Sequence, residues 1–317
     1  MLKPLDSKDA RRFEAWVRGP EELELVCRGN ALARAATWVH RRWPLARGQV
    51  RLVKTLAALQ RVVPAFEHVT FESSAGVRLS LDMTGRDFLY LSGRLPPEPL
   101  QLSIVTRLVR PGDVFVDVGA HKGLFVAHVL GRLGVGGRYH AFEPSQGAMA
   151  FLTHAFESDP RLVLHACALS DKEGEAVFEF DGKLKGRIRE GAGDGVRVPI
   201  ARLDASLADE PTDRPWMIKI DVEGHEPAVL AGAKGLFERG IEPAFFLEYL
   251  ESPSSAERHA IDRAIEEHLP ANYRVYGVCT AHGAVCEGRF EPGSGHRGLN
   301  LLVLPPTWQA RLDGVFR

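Results

Sequence analysis

Pro111-Gly112-Asp113-Val114-Phe115-Val116-Asp117-Val118-Gly119-Ala120-His121-Lys122-Gly123 is the stretch whose reading decides the fold. Pro-Gly-Asp breaks the chain, and Val114–Val118 then runs apolar except for Asp117. Such a run reads as a strand buried on both faces, as parallel sheets require. Gly119 and Gly123 bracket a short turn, and Leu124–Leu133 continues as a helix. Strand, glycine turn and helix together place a ligand at the carboxyl end of a parallel strand. There a glycine permits close approach to the backbone, and a helix start offers unpaired N–H groups.

The segments on either side extend the pattern. Strands are expected at 137–142, 162–168, 216–221, 244–249, 273–279 and 299–304, and helices at 145–157, 226–239 and 256–268. That alternation predicts an α/β fold, a mostly parallel sheet with helices on both faces. The expected core spans 111–317 and holds a polar insert at 173–215 with short strands near Ala176–Phe180 and Val196–Ile200. Before it, 67–110 reads as a hairpin and a helix, and 1–66 as a basic helical extension.

Two cofactor classes use a turn of this kind. A dinucleotide needs Gly-x-Gly-x-x-Gly, whose middle glycine makes room for the pyrophosphate. Here the middle position is His121, which breaks that fingerprint. S-adenosylmethionine (SAM) has no pyrophosphate and suits a turn with an acid at its start and glycines at its ends. The next strand ends in Ala141-Phe142-Glu143-Pro144, where Glu143 can accept hydrogen bonds from ribose hydroxyls. NAD-dependent oxidation, or a non-catalytic binding module on the same fold, stand as the alternatives.

The motif order resembles the FkbM family of SAM-dependent methyltransferases. Phe115–Gly123 is similar to its first motif, Ala141–Ser145 to its second, and Ala166-Cys167-Ala168-Leu169-Ser170-Asp171 to a later segment. Arg202-Leu203-Asp204, Ile218-Lys219-Ile220-Asp221-Val222-Glu223-Gly224-His225-Glu226, Phe246–Tyr249 and Asn300–Pro305 continue the resemblance. His121 departs from it, since the family usually has a small polar residue there. The resemblance implies a Rossmann-like class I methyltransferase fold with seven strands, the last antiparallel. It implies O-methylation of a sugar or a glycosylated or polyketide-type natural product.

On that resemblance, Asp117 faces the methionyl part of SAM, and Gly119, Ala120, His121 and Gly123 form the cofactor turn. Glu143 holds the ribose with Pro144 and Ser145 beside it, and Cys167 and Ala168 flank the adenine. Asp221 ends the fourth strand and is the leading acid–base or metal-ligand candidate, against a role in capping the next helix. His225 is a second candidate base, because its ordinary pKa lies near neutrality. Glu248 ends the fifth strand, and Asp221 with Glu248 would begin a Mg2+ site.

Composition bounds the partners. The 317 residues carry a net charge of −1, so no overall basic excess points to nucleic acid. Four cysteines without a Cys-x-x-Cys pair fit a reduced, cytoplasmic protein, and no apolar run reads as a signal or a membrane span. From Arg28 to Arg61 there are eight Lys or Arg and no acid, with Trp38 and Trp43 among them. This segment is either a solvated helical face or a contact for an anionic carrier or a membrane surface. Asp181–Gly195 holds Lys183, Lys185, Arg187 and Arg189 among five glycines. It reads as a solvated loop, or as a lid whose cations meet a substrate phosphate or carboxylate.

Overall fold

The computed structural model describes residues 25–42, 63, 66, 68–73, 78–82, 99–180, 186–189, 195–249, 255–279, 284–289 and 299–315. Most of the expected 1–66 extension, including Trp43 and Arg61, lies outside them, as do Lys183 and Lys185. The described part of the extension is not purely helical. Strand β1 (Leu25–Cys27) pairs antiparallel with β2 (Val69–Ser73), which pairs with β3 (Arg78–Leu81). Between β1 and β2 runs helix α1 (Ala31–Arg42), started by the Asn30 side chain, which accepts from the Ala33 N–H at 2.9 Å.

Helix α2 (Pro99–Leu108) leads to β4 (Val114–Val118), the quoted strand, and α3 (Leu124–Leu133) follows its turn. The series continues with β5 (Arg138–Phe142), α4 (Gln146–Phe156) and β6 (Leu162–His165). The expected 162–168 strand divides here. Its end becomes β7 (Ala168–Ser170), which joins β8 (Gly174–Phe180), β9 (Gly186–Arg189) and β10 (Val196–Arg202) in a second sheet of order β7-β10-β8-β9. The insert is therefore a folded sheet, and Arg187 and Arg189 lie on one of its strands.

After α5 (Leu203–Ser206) comes β11 (Trp216–Ile220). The expected 226–239 helix is two pieces, α6 (Glu226–Ala231) and α7 (Lys234–Glu238), broken at Gly232-Ala233. Gly232 packs so closely that a Cβ would lie 2.1 Å from the Ser170 carbonyl oxygen. Next come β12 (Ala244–Glu248), α8 (Ser255–His268), β13 (Arg274–Cys279), β14 (Ala284–Glu287), β15 (Leu299–Leu304) and α9 (Gln309–Val315).

The central sheet has the order β14-β13-β15-β12-β11-β4-β5-β6. Strands β6, β5, β4, β11 and β12 pair in parallel, and β15 is antiparallel to both neighbours. Seven of the strands give the order expected of the class I methyltransferase fold, with the reversed strand between β12 and β13. Edge strand β14 adds an eighth through a hairpin with β13. Alternate residues of β4 serve opposite cores: Phe115 packs on one face of the sheet, and Val114, Val116 and Val118 on the other. Strand order reverses between β4 and β11, which brings the β4 and β11 turns together at the carboxyl edge.

Candidate active site

At that edge the backbone of the β4 turn is held closely by its neighbours. Gly119 and Ala120 both donate their N–H to the Phe142 carbonyl, at 3.0 and 3.1 Å. The His121 N–H donates to Glu143 Oε2 at 2.8 Å, and the Gly123 N–H to the Ala120 carbonyl at 2.9 Å. These N–H groups are engaged within the protein, so they do not form the bare anion cradle that a pyrophosphate needs. Gly119 sits at φ +81°, and a Cβ there would lie 2.0 Å from the Asp221 carbonyl oxygen. Its smallness thus lets the β11 turn approach the β4 turn closely. Gly123, at φ +87°, makes room for Leu152 and Phe156 of α4.

Asp117 is fully buried, and both of its oxygens have partners. Tyr139 donates its hydroxyl to Oδ2 at 2.8 Å, and Lys219 Nζ lies 3.0 Å from Oδ1. Residues 117 and 219 are direct neighbours across the β4–β11 pair. Lys219 also lies 3.4 Å from the Gly119 carbonyl and 3.6 Å from Asp221 Oδ2, with its ammonium over the Phe125 ring. One buried cation therefore ties the two turns together. Lys122 is a second tether, 3.0 Å from Asp82 just after β3.

Glu143 ends β5 and is nearly buried. Its Oε1 accepts from the Ser145 N–H at 2.8 Å, and its Oε2 from His121. Burial pushes its pKa up to about 7, against those two hydrogen bonds. Each oxygen keeps a lone pair, which suits two ribose hydroxyls. Ser145 also caps α4, its hydroxyl accepting from the Ala148 N–H at 3.3 Å. Pro144 and Cys167 are half-buried beside this edge, and Ala168 is buried at the start of β7. Burial raises the Cys167 thiol.

The β11 and β12 ends carry the acids. Asp221, Glu223 and Glu248 each offer an oxygen, and the three lie within 4.8 Å of one another. Burial first, and then the neighbouring Asp221 and Glu223, hold the Glu248 carboxyl far above the usual carboxylate range. Asp221 does not cap α6. The N-cap residue is His225, and Glu226 Oε1 instead accepts from the Val222 and Gly224 N–H groups at 3.1 and 3.2 Å. Glu223 holds the turn with φ +54°, a left-handed conformation that is costly for a side chain larger than glycine. His225 turns away toward the insert, its Nε2 3.0 Å from Ser170 Oγ.

The methyltransferase FkbM domain model matches residues 117–275. The chain belongs to the FkbM methyltransferase family. It is accordingly a SAM-dependent methyltransferase. Similar solved structures include a putative rRNA methylase from Clostridium thermocellum, at 10% identity and TM-score 0.40, covering 64% of this chain and 94% of that one. The O-methyltransferase TomG from Streptomyces achromogenes, in complex with SAM, is 13% identical at TM-score 0.39, covering 67% and 80%. Aeropyrum pernix fibrillarin, with SAM bound, is 11% identical at TM-score 0.37, covering 75% and 94%. No curated protein matches the chain.

The FkbM chain's expected site residues gather at one edge. Asp117, Gly119, Ala120, His121, Gly123, Glu143, Pro144 and Ser145 surround the β4 and β5 ends, and Asp221 and Glu248 close the β11 and β12 ends. Lys219, Tyr139, Glu223 and Glu226 join them without having been singled out for a role by sequence. Lys219 and Glu226 stand inside the quoted Ile218–Glu226 motif, and a charged residue in a buried strand is the signal that could have marked Lys219.

Proposed function

We propose that the protein methylates a hydroxyl on a sugar or a glycosylated or polyketide-type small molecule. Carrying this reading is the acid cluster of Asp221, Glu223 and Glu248 beside the cofactor turn. An alcohol holds its proton tightly, so transfer to it needs a group that accepts that proton. SAM supplies the electrophilic methyl of its sulfonium when bound. In this reading Glu143 holds the ribose, supported by the hydrogen bonds from the His121 and Ser145 N–H groups that fix its carboxyl group. Asp117 acts through Lys219, fixing the turn that orients the methionyl end. Asp221 is the base in this reading, since Glu248 is kept protonated by burial and by its acidic neighbours. His225, held toward Ser170, is the less favoured base.

A Mg2+ bound by Asp221, Glu223 and Glu248 would be an alternative to the base role, since it would displace the Glu248 proton and take Asp221 as a ligand. Methyl transfer unchanged by EDTA and by added Mg2+ would remove that alternative. The test of the whole is transfer of labelled methyl from SAM to a panel of hydroxylated sugars and glycosides. Asp221→Asn is expected to lower turnover about 100-fold or more, from the lower end of the general-base range upward, while S-adenosylhomocysteine (SAH) affinity stays within about threefold. Unchanged turnover in the variant removes Asp221 as the base.

A further inference from the structure

Beyond the acid cluster, the insert sheet forms a cleft of about 200 Å3 with the segment around Ser170. At about 30 Å3 per water, this holds the equivalent of about seven waters. That suits one polar substituent and its attachment, rather than an entire natural product. Three cations, Lys172, Arg189 and Arg197, line it, against a single acid, Glu175. Ile188 and Ile200 supply apolar wall. Ser170 and His225 also line it, joined at 3.0 Å.

The two arginines have protein partners in exposed ion pairs. Arg189 Nε lies 3.1 Å from Glu179 and Arg197 Nη1 lies 3.5 Å from Glu175, with the arginine side chains 59% and 76% exposed. Exposed pairs of this kind contribute little, and each guanidinium keeps further N–H donors in a fork that matches phosphate or carboxylate oxygens. His225 belongs to the same short loop as Asp221, so one loop joins the cleft to the reacting acids. A substrate whose hydroxyl sits at Asp221 would extend a neighbouring group toward His225 and the cations behind it.

We infer that this cleft binds an anionic substituent of the methyl acceptor, a phosphate or a carboxylate, and so sets which hydroxyl compounds are taken. The inference rests on the methyltransferase reading for what the bound molecule is, yet it can fail separately. Full-length protein loaded with SAH is titrated calorimetrically with glucose 1-phosphate, glucuronate and glucose at fixed ionic strength. At least one anionic sugar is expected to bind tenfold or more tightly than glucose. The Lys172→Ser/Arg197→Ser double variant, altered at two exposed positions, is expected to lose that preference while keeping its SAH affinity. Preference for one anion over the other tells phosphate from carboxylate. Binding of neither anion, equal binding of all three sugars, or a preference that survives in the variant overturns the inference. Failure of the parent protein to bind SAH would instead overturn the cofactor reading, and the same titrations on the unloaded protein would still decide the cleft.

Discussion

Glu143 fixes the backbone of the cofactor turn through the His121 N–H, and the proposed function gives its remaining lone pairs to the ribose of SAM. Burial lifts its pKa from an ordinary 4.5 to about 7 in the folded protein. The folded state therefore holds this proton where the unfolded chain has released it. Its contribution to stability is full below about pH 4.5 and is lost as the pH rises through about 7. The loss is on the order of 3 kcal/mol at one unit per 1.36 kcal/mol. Replacing it by Gln removes the titration, so the variant's melting temperature should fall less between pH 5 and 8 than the parent's. Parallel pH profiles for the two proteins would contradict this. The position of Glu143 was legible in the sequence because its setting is local: an acid just after a strand, one βα unit beyond the glycine turn. The role of Gly119 was not, because the atom it avoids belongs to Asp221, far along the chain.

Between elements, Lys219 is the tie that positions the site. It joins β11 to β4 through Asp117 and reaches both the Gly119 carbonyl and Asp221. The side chains are 5% and 1% exposed, so removing the cation leaves a carboxylate in the core. Lys219→Met should cost about 3–5 kcal/mol in urea unfolding, and Asp117→Asn added to it should recover much of that. An unaltered midpoint in the single variant would show that the pair is not a structural tie. Strand–helix alternation was readable, because each core strand is a short apolar run with a turn behind it. Three features were not. β1 is three residues whose partner, Phe71, lies more than forty positions on, so nothing local marks it. The split of 162–168 follows from β7 pairing with β10, again a distant partner. The gap between α6 and α7 is set by contact of Gly232 with Ser170, while the apolar spacing there runs on as one helix.

At the scale of the molecule, the order β6-β5-β4-β11-β12-β15-β13 brings the β4, β5, β11 and β12 ends to one edge, while Ala168 lies in the insert sheet and His225 meets it at Ser170. The opposite end of the chain carries a different surface. On α1, Leu32, Trp38 and Val39 are exposed, with Arg42 stacked on the Trp38 ring at 4.4 Å. No helix among the described residues is long and apolar enough to cross a membrane. An exposed aromatic among arginines suits the headgroup region of an anionic bilayer, a proposal this surface supports. Flotation with anionic vesicles should carry the protein at low salt and release it at high salt, and Trp38→Ser should weaken it severalfold. No flotation at low salt removes the proposal. At the cofactor edge the β4 turn spends its N–H groups on the protein, and the proposed function has Glu143 take the ribose of SAM there. Calorimetric titration of the full-length protein with SAH and, separately, with NAD tests it most directly. One SAH should bind per chain with no measurable heat from NAD, and NAD binding in the absence of SAH binding would contradict the account.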